Sequence, residues 1–328
     1  MRPVMKRLHP LSGFIPGGAR VLAIAAVLVA AGEACAAEYV LPANGDSVIG
    51  RNSTAIAARE DTLFDVARRN GVGYEEIVAA NPGVDSWLPG EGTEILIPSR
   101  YILPDAPRTG IVVNLPEHRL YYYPPTRKGE APVVRTYPIS VGKMDWKTPI
   151  GTTRIASKQA LPNWYPPASV LKEHEERGDP LPKVVPPGPD NPLGEYAMRL
   201  AIPGGSYLIH GTNKPAGVGM QVTHGCIRLY PEDIAELFKL VPVNTQVNLI
   251  DQTNKVGWQR GTLYAERHAP LEGTDDPRDI DPVVMDALIM AAVAGHSVEV
   301  NWPGVLRVFD QATGVPVPLS TPVRAALR

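Results

Sequence analysis

Residues 209–234 read IHGTNKPAGVGMQVTHGCIRLYPEDI and place His210, His224, Cys226 and Arg228 in a glycine-rich span. A cysteine attacks as its thiolate. It reaches that form near neutral pH only beside a histidine, a cation or a helix N-terminus. His224 lies two residues before Cys226 and Arg228 two after, and in extended backbone such residues share a face. His210 ends the apolar stretch Tyr207-Leu208-Ile209, and Gly217 and Gly219 permit a tight return that would bring it beside Cys226. Gly225 lets backbone approach a substrate closely, and the amides around Gly225 and Cys226 would face a developing oxyanion. These residue types fit acyl transfer through a cysteine. Arg228 fits either a bidentate grip on a substrate carboxylate or a pin to an acidic neighbour. His224 fits either proton transfer or a hydrogen bond that holds the loop.

The chain has 328 residues, two cysteines and a formal charge of −2. That length predicts two or three domains, and the balanced charge gives no argument for nucleic acid. The 35 prolines are about twice the usual share and, with few aromatics, favour strands joined by structured loops. Arg2, Lys6, Arg7 and Arg20 precede the apolar run VLAIAAVLVAA, and Ala34-Cys35-Ala36 fits a small-x-small cleavage pattern. The reading is a signal peptide over residues 1–36 and a protein exported to the periplasm. The run is short of the roughly 20 residues that span a bilayer. Cleavage would remove Cys35 and leave Cys226 as a lone thiol outside the cytoplasm, which points to reactivity or intermolecular pairing.

The elements that must position this thiol follow from periodicity. Residues 38–60 read as irregular. In 60–99, Leu63, Val66 and Ala67 share a helix face, Tyr74, Ile77 and Val78 begin a second helix, and Thr93 to Ile97 alternates like a strand. A proline-containing linker follows at 100–110. The span 111–250 reads as strands, with one good helix at 231–241 opened by Pro231, Glu232 and Asp233. Residues 143–196 are proline-rich and aperiodic, and Trp146, Trp164 and Tyr165 argue for an ordered lid over a site. Beyond residue 251 the pattern predicts a hairpin at 257–272, an apolar helix at 282–295 and a strand pair over 298–320. The fold class is therefore α+β, mainly β. It comprises a β-sandwich-like domain at 108–251, a small module at 37–100 and a C-terminal α+β appendage at 252–328.

Two stretches carry family resemblances. DTLFDVARRNGV, the ANPG turn and LPGEGTEILIP resemble a LysM module, a small domain that grips glycan chains such as peptidoglycan. HGT, twelve residues, then THGCIRL resembles the signature of the L,D-transpeptidases, the YkuD-type catalytic domain. KTPIGTTRI, NWYPP and NPLGEYAMRL support that match, and KVGWQRGTLYAERHAPLE is similar to the segment that follows it in Gram-negative periplasmic members. Thr223 stands where many members carry serine and keeps the hydroxyl.

The resemblance implies that Cys226 attacks the carbonyl before the terminal D-alanine of a peptidoglycan tetrapeptide stem and forms a thioester that an amine resolves. It implies His210 as general base and acid, oriented by the carbonyl of Gly211, with no metal or cofactor. Arg228, Thr223 and Trp164 are the candidates for substrate contact, beside His224 and Gly225 at the nucleophile. The acceptor would be diaminopimelate of another stem, giving a 3–3 cross-link, or a lysine on an outer-membrane lipoprotein or other envelope protein. Three other readings compete: a zinc hydrolase on His210, His224 and Cys226, a non-catalytic peptidoglycan-binding protein, and a cysteine amidase using the same pair of groups.

Overall fold

The computed structural model describes residues 37–43, 45–143, 148–273 and 281–322. The signal segment with Cys35, and Trp146 of the lid, lie outside the described residues.

The first helix pair forms as its pattern requires. Helix α1 (Leu63–Arg69) starts at Thr62, whose hydroxyl accepts the Asp65 amide while the Asp65 carboxylate accepts the Thr62 amide. This reciprocal cap satisfies two of the orphan donors at the helix start. Helix α2 (Tyr74–Ala80) packs on α1 through Leu63, Val66, Ala67 and Ile77. Asn81 of the ANPG turn is buried and works in both directions. Its amide donates to the Ile77 and Leu96 carbonyls, and its oxygen accepts the Leu96 N–H. It thereby fastens α2 to strand β4 (Glu94–Ile97), which pairs antiparallel with β3 (Ser53–Ile56).

The span read as irregular holds two further short strands. β1 (Ala37–Val40) joins an edge of the large sheet, antiparallel to β8 (Val133–Pro138). β2 (Val48–Gly50) pairs with β5 (Arg100–Ile102). Strands of three or four residues carry too few alternations to be read locally, and their partners lie far along the chain.

The expected sandwich-like body takes the form of a curled, nine-stranded mixed sheet. Its order is β1-β8-β7-β6-β15-β10-β11-β12-β14. The strands not yet placed are β6 (Gly110–Asn114), β7 (Arg119–Tyr123), β10 (Gly151–Ala160), β11 (Tyr196–Leu200), β12 (Leu208–His210), β14 (Ile227–Arg228) and β15 (Gln246–Ile250). A separate ribbon pairs β9 (Val141–Gly142) with β13 (Gln221–Thr223). Two helices belong to this part, α3 (Ala168–Glu176) and α4 (Pro231–Leu240). Ile234 and Leu237 of α4 pack with Ile111, Met198, Ile209 and Ile227 of the sheet in the largest core.

The segment read as an aperiodic lid thus contains the ten-residue strand β10 and the helix α3. Only Ile155 of β10 is buried, so no alternation of apolar and polar residues marked it as a strand.

The C-terminal part has a hairpin, β16 (Asn254–Gln259) and β17 (Thr262–Arg267), covered by α5 (Pro282–Val293) and α6 (Trp302–Gln311). The expected strand pair is present at the two ends of its span, which pair antiparallel, and helix α6 fills the stretch between them. Asn301 caps it by accepting the Gly304 N–H, and Val305, Val308 and Phe309 are spaced to share one buried face. Short strands β18 (Val298–Val300) and β20 (Ser320–Pro322) flank it, and β19 (Val317–Pro318) extends the hairpin. Among the described residues no helix is long and apolar enough to cross a membrane.

The small module is docked on the sheet through buried charge. Arg119 on β7 is fully buried, bonded to Glu76 of α2 and to Thr136, with its guanidinium 4.2 Å from the Tyr101 ring centre. Lys255 on β16 is likewise buried and reaches Glu117 at 2.8 Å, Glu266 at 2.5 Å and the Ile102 carbonyl at 2.6 Å. The start of α2 also meets the loop that precedes Cys226. The Tyr74 and Glu75 amides donate to the Val218 and Gly219 carbonyls, each at 3.2 Å. Gly219 has φ +88°, and a Cβ there would lie 2.3 Å from the Tyr74 nitrogen, so only glycine permits this approach.

Candidate active site

The site is built on one face of four adjacent strands. Register aligns Gln159 (β10) with Ala197 (β11), Ala197 with His210 (β12), and His210 with Arg228 (β14). One step along, Ser157, Arg199 and Leu208 form a second row. Residues two apart on a strand share a face, so both rows floor the same cleft, a cavity of about 310 Å³ that Cys226 also lines. Ala197 is the small member of its row, and its short side chain leaves open space between Gln159 and His210. Pro162, Trp164, Tyr165 and Val170 of the proline-rich segment line the same cavity as its cover. Trp164 is tied to Val185 by a pair of backbone hydrogen bonds of 2.9 Å.

The return from His210 to Cys226 runs through a 3₁₀ turn (Pro215–Gly217) and then β13. Three contacts shape the turn at the nucleophile. Gly225 adopts φ +92°. The Thr223 hydroxyl donates to the Cys226 carbonyl at 2.6 Å. The Thr148 hydroxyl donates to the Gly225 carbonyl at 3.1 Å and accepts the Gly142 N–H at 3.2 Å. Thr223 lines the cavity, but its hydroxyl is committed to the loop. Thr148, within KTPIGTTRI, had no role assigned from sequence.

His210 is buried, and its Nδ1 lies 2.6 Å from the Gly211 carbonyl oxygen. A carbonyl can only accept, so Nδ1 carries the proton and Nε2 is left to accept one. Burial pushes the His210 pKa down to about 3, with the Arg228 charge acting the same way and the Gly211 and Leu193 carbonyls opposing. Burial raises the Cys226 thiol above its ordinary value, while the Leu208 amide and Arg228 favour the thiolate. The resting pair is therefore a neutral thiol and a neutral imidazole. The thiol points weakly to the Ser206 carbonyl, 3.5 Å away.

Arg228 lines the cavity, and its buried Nε has no hydrogen-bond partner. No acidic neighbour pins it among the described residues. His224 turns away from proton transfer, with its Nε2 3.1 Å from Glu173 of α3. That hydrogen bond is the main cause holding Glu173 below the usual carboxylate range. Glu173 also meets Arg177 and, at 3.9 Å, Lys143. The covering helix is thus fastened to the Cys226 loop by His224, the loop-holding role read as one of its two options, through a Glu173 partner that sequence reasoning missed because nothing local links them.

His210, His224 and Cys226 do not form a three-donor cluster. The one such group among the described residues is Glu117, Glu266 and His268, whose two carboxylates already share the Lys255 ammonium.

The buried histidine makes a prediction about stability. The His210 pKa is depressed in the folded state, so its contribution is complete above pH 6.5 and lost as pH falls towards 3. Glu75 and His118, 3.2 Å apart, are shifted oppositely to about 7 and about 4 and offset one another. Between roughly pH 6.5 and 5 His210 alone lowers the unfolding free energy by about 1.4 kcal/mol per pH unit, and Asp233, whose carboxyl burial holds well above the usual range, acts in the opposite direction, so the His210 share is the difference between wild type and His210→Gln. Urea midpoints over that range test this. An equal slope in His210→Gln would show that another group is responsible.

A thiol, a histidine held in one tautomer and a roofed cleft are parts that acyl transfer would use. Comparison with known proteins gives the family. The YkuD family, described as the L,D-transpeptidase catalytic domain, matches residues 108–249. "Probable L,D-transpeptidase YcfS" of Escherichia coli is 39% identical over 298 residues, covering 89% of this chain and 91% of that protein. "Probable L,D-transpeptidase YbiS" of the same organism is 40% identical over 294 residues, 88% of this chain and 93% of its own. "Probable L,D-transpeptidase ErfK/SrfK" is 37% identical over 308 residues, 92% and 96%. The chain belongs to the L,D-transpeptidase family.

Proposed function

We propose that this enzyme acts on peptidoglycan tetrapeptide stems outside the cytoplasm through a thioester on Cys226. The observation that carries the reading is the shared cleft floor, where His210, with Nε2 free to take a proton, and Cys226 line one roofed cavity.

In the first half-reaction His210 Nε2 takes the thiol proton as sulfur attacks the carbonyl before the terminal D-alanine. The tetrahedral oxyanion is met by the amides of Gly225 and Cys226. Collapse breaks the C–N bond, the proton passes from His210 to the leaving amine, and D-alanine departs. In the second half an acceptor amine attacks the thioester, gives its proton to His210 and expels the thiol. A thioester conserves acyl energy without ATP. The cover of Trp164, Tyr165 and α3 restricts water, which favours an amine over hydrolysis.

The acceptor is a diaminopimelate amine of a second stem or a lysine of an envelope protein such as an outer-membrane lipoprotein. The module with α1 and α2 is proposed to hold glycan. Mass spectrometry of disaccharide tetrapeptides incubated with the enzyme tests the reading. Loss of D-alanine with dimer formation is expected for 3–3 cross-linking. Loss without dimers, followed by coupling to an added envelope protein, indicates the second acceptor. An unchanged tetrapeptide rejects the donor.

A further inference from the structure

We propose that Arg199 is a specificity-determining residue that holds a free carboxylate of the acyl donor, opposite Arg228 in the same cleft. This rests on the donor reading above and deepens it.

The argument begins with the charges that face the cavity. Its lining includes two arginines, Arg199 and Arg228, and two histidines, and no aspartate or glutamate. His210 is kept neutral by burial. His224 is already matched to Glu173, a residue outside that lining. The two guanidinium groups are therefore uncompensated within the cleft. Two larger cavities, of about 580 and 560 Å³, have the opposite character, with Glu75, Glu117 and Glu272 in the walls of one and Glu60, Asp61 and Asp65 in the walls of the other. The cleft beside Cys226, with two arginines and no carboxylate, is thus suited to an anion.

Strand register places Arg199 specifically. It sits opposite Ser157 on one side and Leu208 on the other, one step along the sheet from the row that holds His210 and Arg228. Arg199 and Ala197 share a face, so Arg199 stands over the same floor as His210. Ser157 and Ser206 line the cavity near it and add hydroxyls but no counter-charge. No salt bridge or side-chain hydrogen bond engages the Arg199 guanidinium among the described residues, and it is exposed on β11. An arginine on a structural surface commonly pairs with a carboxylate on a neighbouring strand, and here the pairing positions hold serine and leucine.

The donor supplies what the site lacks. The residue lost in the first half-reaction carries a terminal carboxylate, and a diaminopimelate third residue carries another beyond its side-chain amine carbon. A planar guanidinium binds either one bidentately. Arg228, half-buried and with a buried Nε that lacks a partner, offers a second cationic edge close to Cys226. Two such groups would orient a stem along the cleft and select a donor with its carboxylates free.

Three synthetic tetrapeptide donors test this: one with free carboxylates, one amidated at the terminal D-alanine, and one amidated on the third residue's side chain. Release of the terminal residue is followed with the wild-type protein, Arg199→Gln and Arg199→Lys. Arg199→Gln should lower kcat/KM about 10- to 100-fold on the free donor, the size of a lost charge-assisted hydrogen bond. The change should fall mainly on KM. Amidating the carboxylate that Arg199 holds should weaken the wild type similarly and add little to the loss in Arg199→Gln. Arg199→Lys should recover part of the activity. The donor that shows this coupling identifies the carboxylate. Equal losses on all three donors, or no loss, would overturn the proposal.

Calorimetric binding of the same peptides to Cys226→Ala and to Cys226→Ala with Arg199→Gln reads the contact without turnover. Coupled binding in a wild type that releases nothing would place the fault in the reading of the reaction and leave the Arg199 contact standing. Uncoupled binding in an active enzyme would do the reverse.

Discussion

Cys226→Ala is expected to abolish release of D-alanine while leaving the fold intact. In the proposed mechanism Cys226 and its base act as a unit, and removing the attacking group of such a unit lowers kcat by about 10⁴-fold or more. The sulfur makes little structural contribution. It makes only a weak 3.5 Å contact to the Ser206 carbonyl and a bond with the Leu208 amide that favours the thiolate. The loop around it is held by other groups, with Thr223 on the Cys226 carbonyl and Thr148 on the Gly225 carbonyl. The unfolding free energy should therefore change by less than about 1 kcal/mol. Product analysis and urea denaturation of the same preparation check both halves. Turnover retained by the alanine variant would exclude a thioester on this residue. Cys226→Ser should also be very slow, because a hydroxyl is far harder to deprotonate than a thiol.

The second large effect concerns stability and comes from Glu76→Ala. Arg119 is fully buried, and Glu76 supplies its counter-charge from another part of the chain. Removing one partner of a buried pair costs about 3–5 kcal/mol, because the remaining charge stays desolvated. The loss should be read as a lower urea midpoint. Replacing both residues by methionine should recover much of it, since a buried pair and a well-packed apolar pair of similar volume are often close in stability. A single variant within about 0.5 kcal/mol of wild type would mean that water reaches Arg119 and that the module is loosely docked. Because α2 also donates to the Val218 and Gly219 carbonyls, loosening it should disturb the approach to Cys226. Glu76→Ala is therefore expected to lose activity at temperatures where the protein is still folded.

Much of the site was legible before any fold was known. The spacing of His210, Thr223, His224, Gly225, Cys226 and Arg228 is local, and local spacing survives in the linear sequence. The helices of the small module were legible for the same reason, through Leu63, Val66 and Ala67 on one face and the Asn81-Pro82-Gly83 stop. The lid was read from proline and tryptophan content, yet β10 and α3 inside it were missed. β10 buries only Ile155, and α3 only Val170, so neither shows the periodicity on which such readings depend. Helix α6 was missed because Pro303 and Gly304 at its start and its short β-branched stretch read as strand, and the Asn301 cap decides it.

By itself, then, the sequence determined the candidate site: a cysteine on a glycine turn, with a histidine upstream and an arginine at hand. It also determined the membership of the family through that same short signature. The tertiary structure decided what surrounds the thiol. Register across β10, β11, β12 and β14 brought Gln159, Ala197, His210 and Arg228 into one row and set Arg199 one step away. Contacts distant in sequence tied His224 to Glu173 and the start of α2 to the loop before Cys226. The reason is physical. Strand pairing is non-local, and a shift of one residue in register would turn every side chain of a strand to the other face. Which charges line the cleft is therefore a property of the assembled sheet.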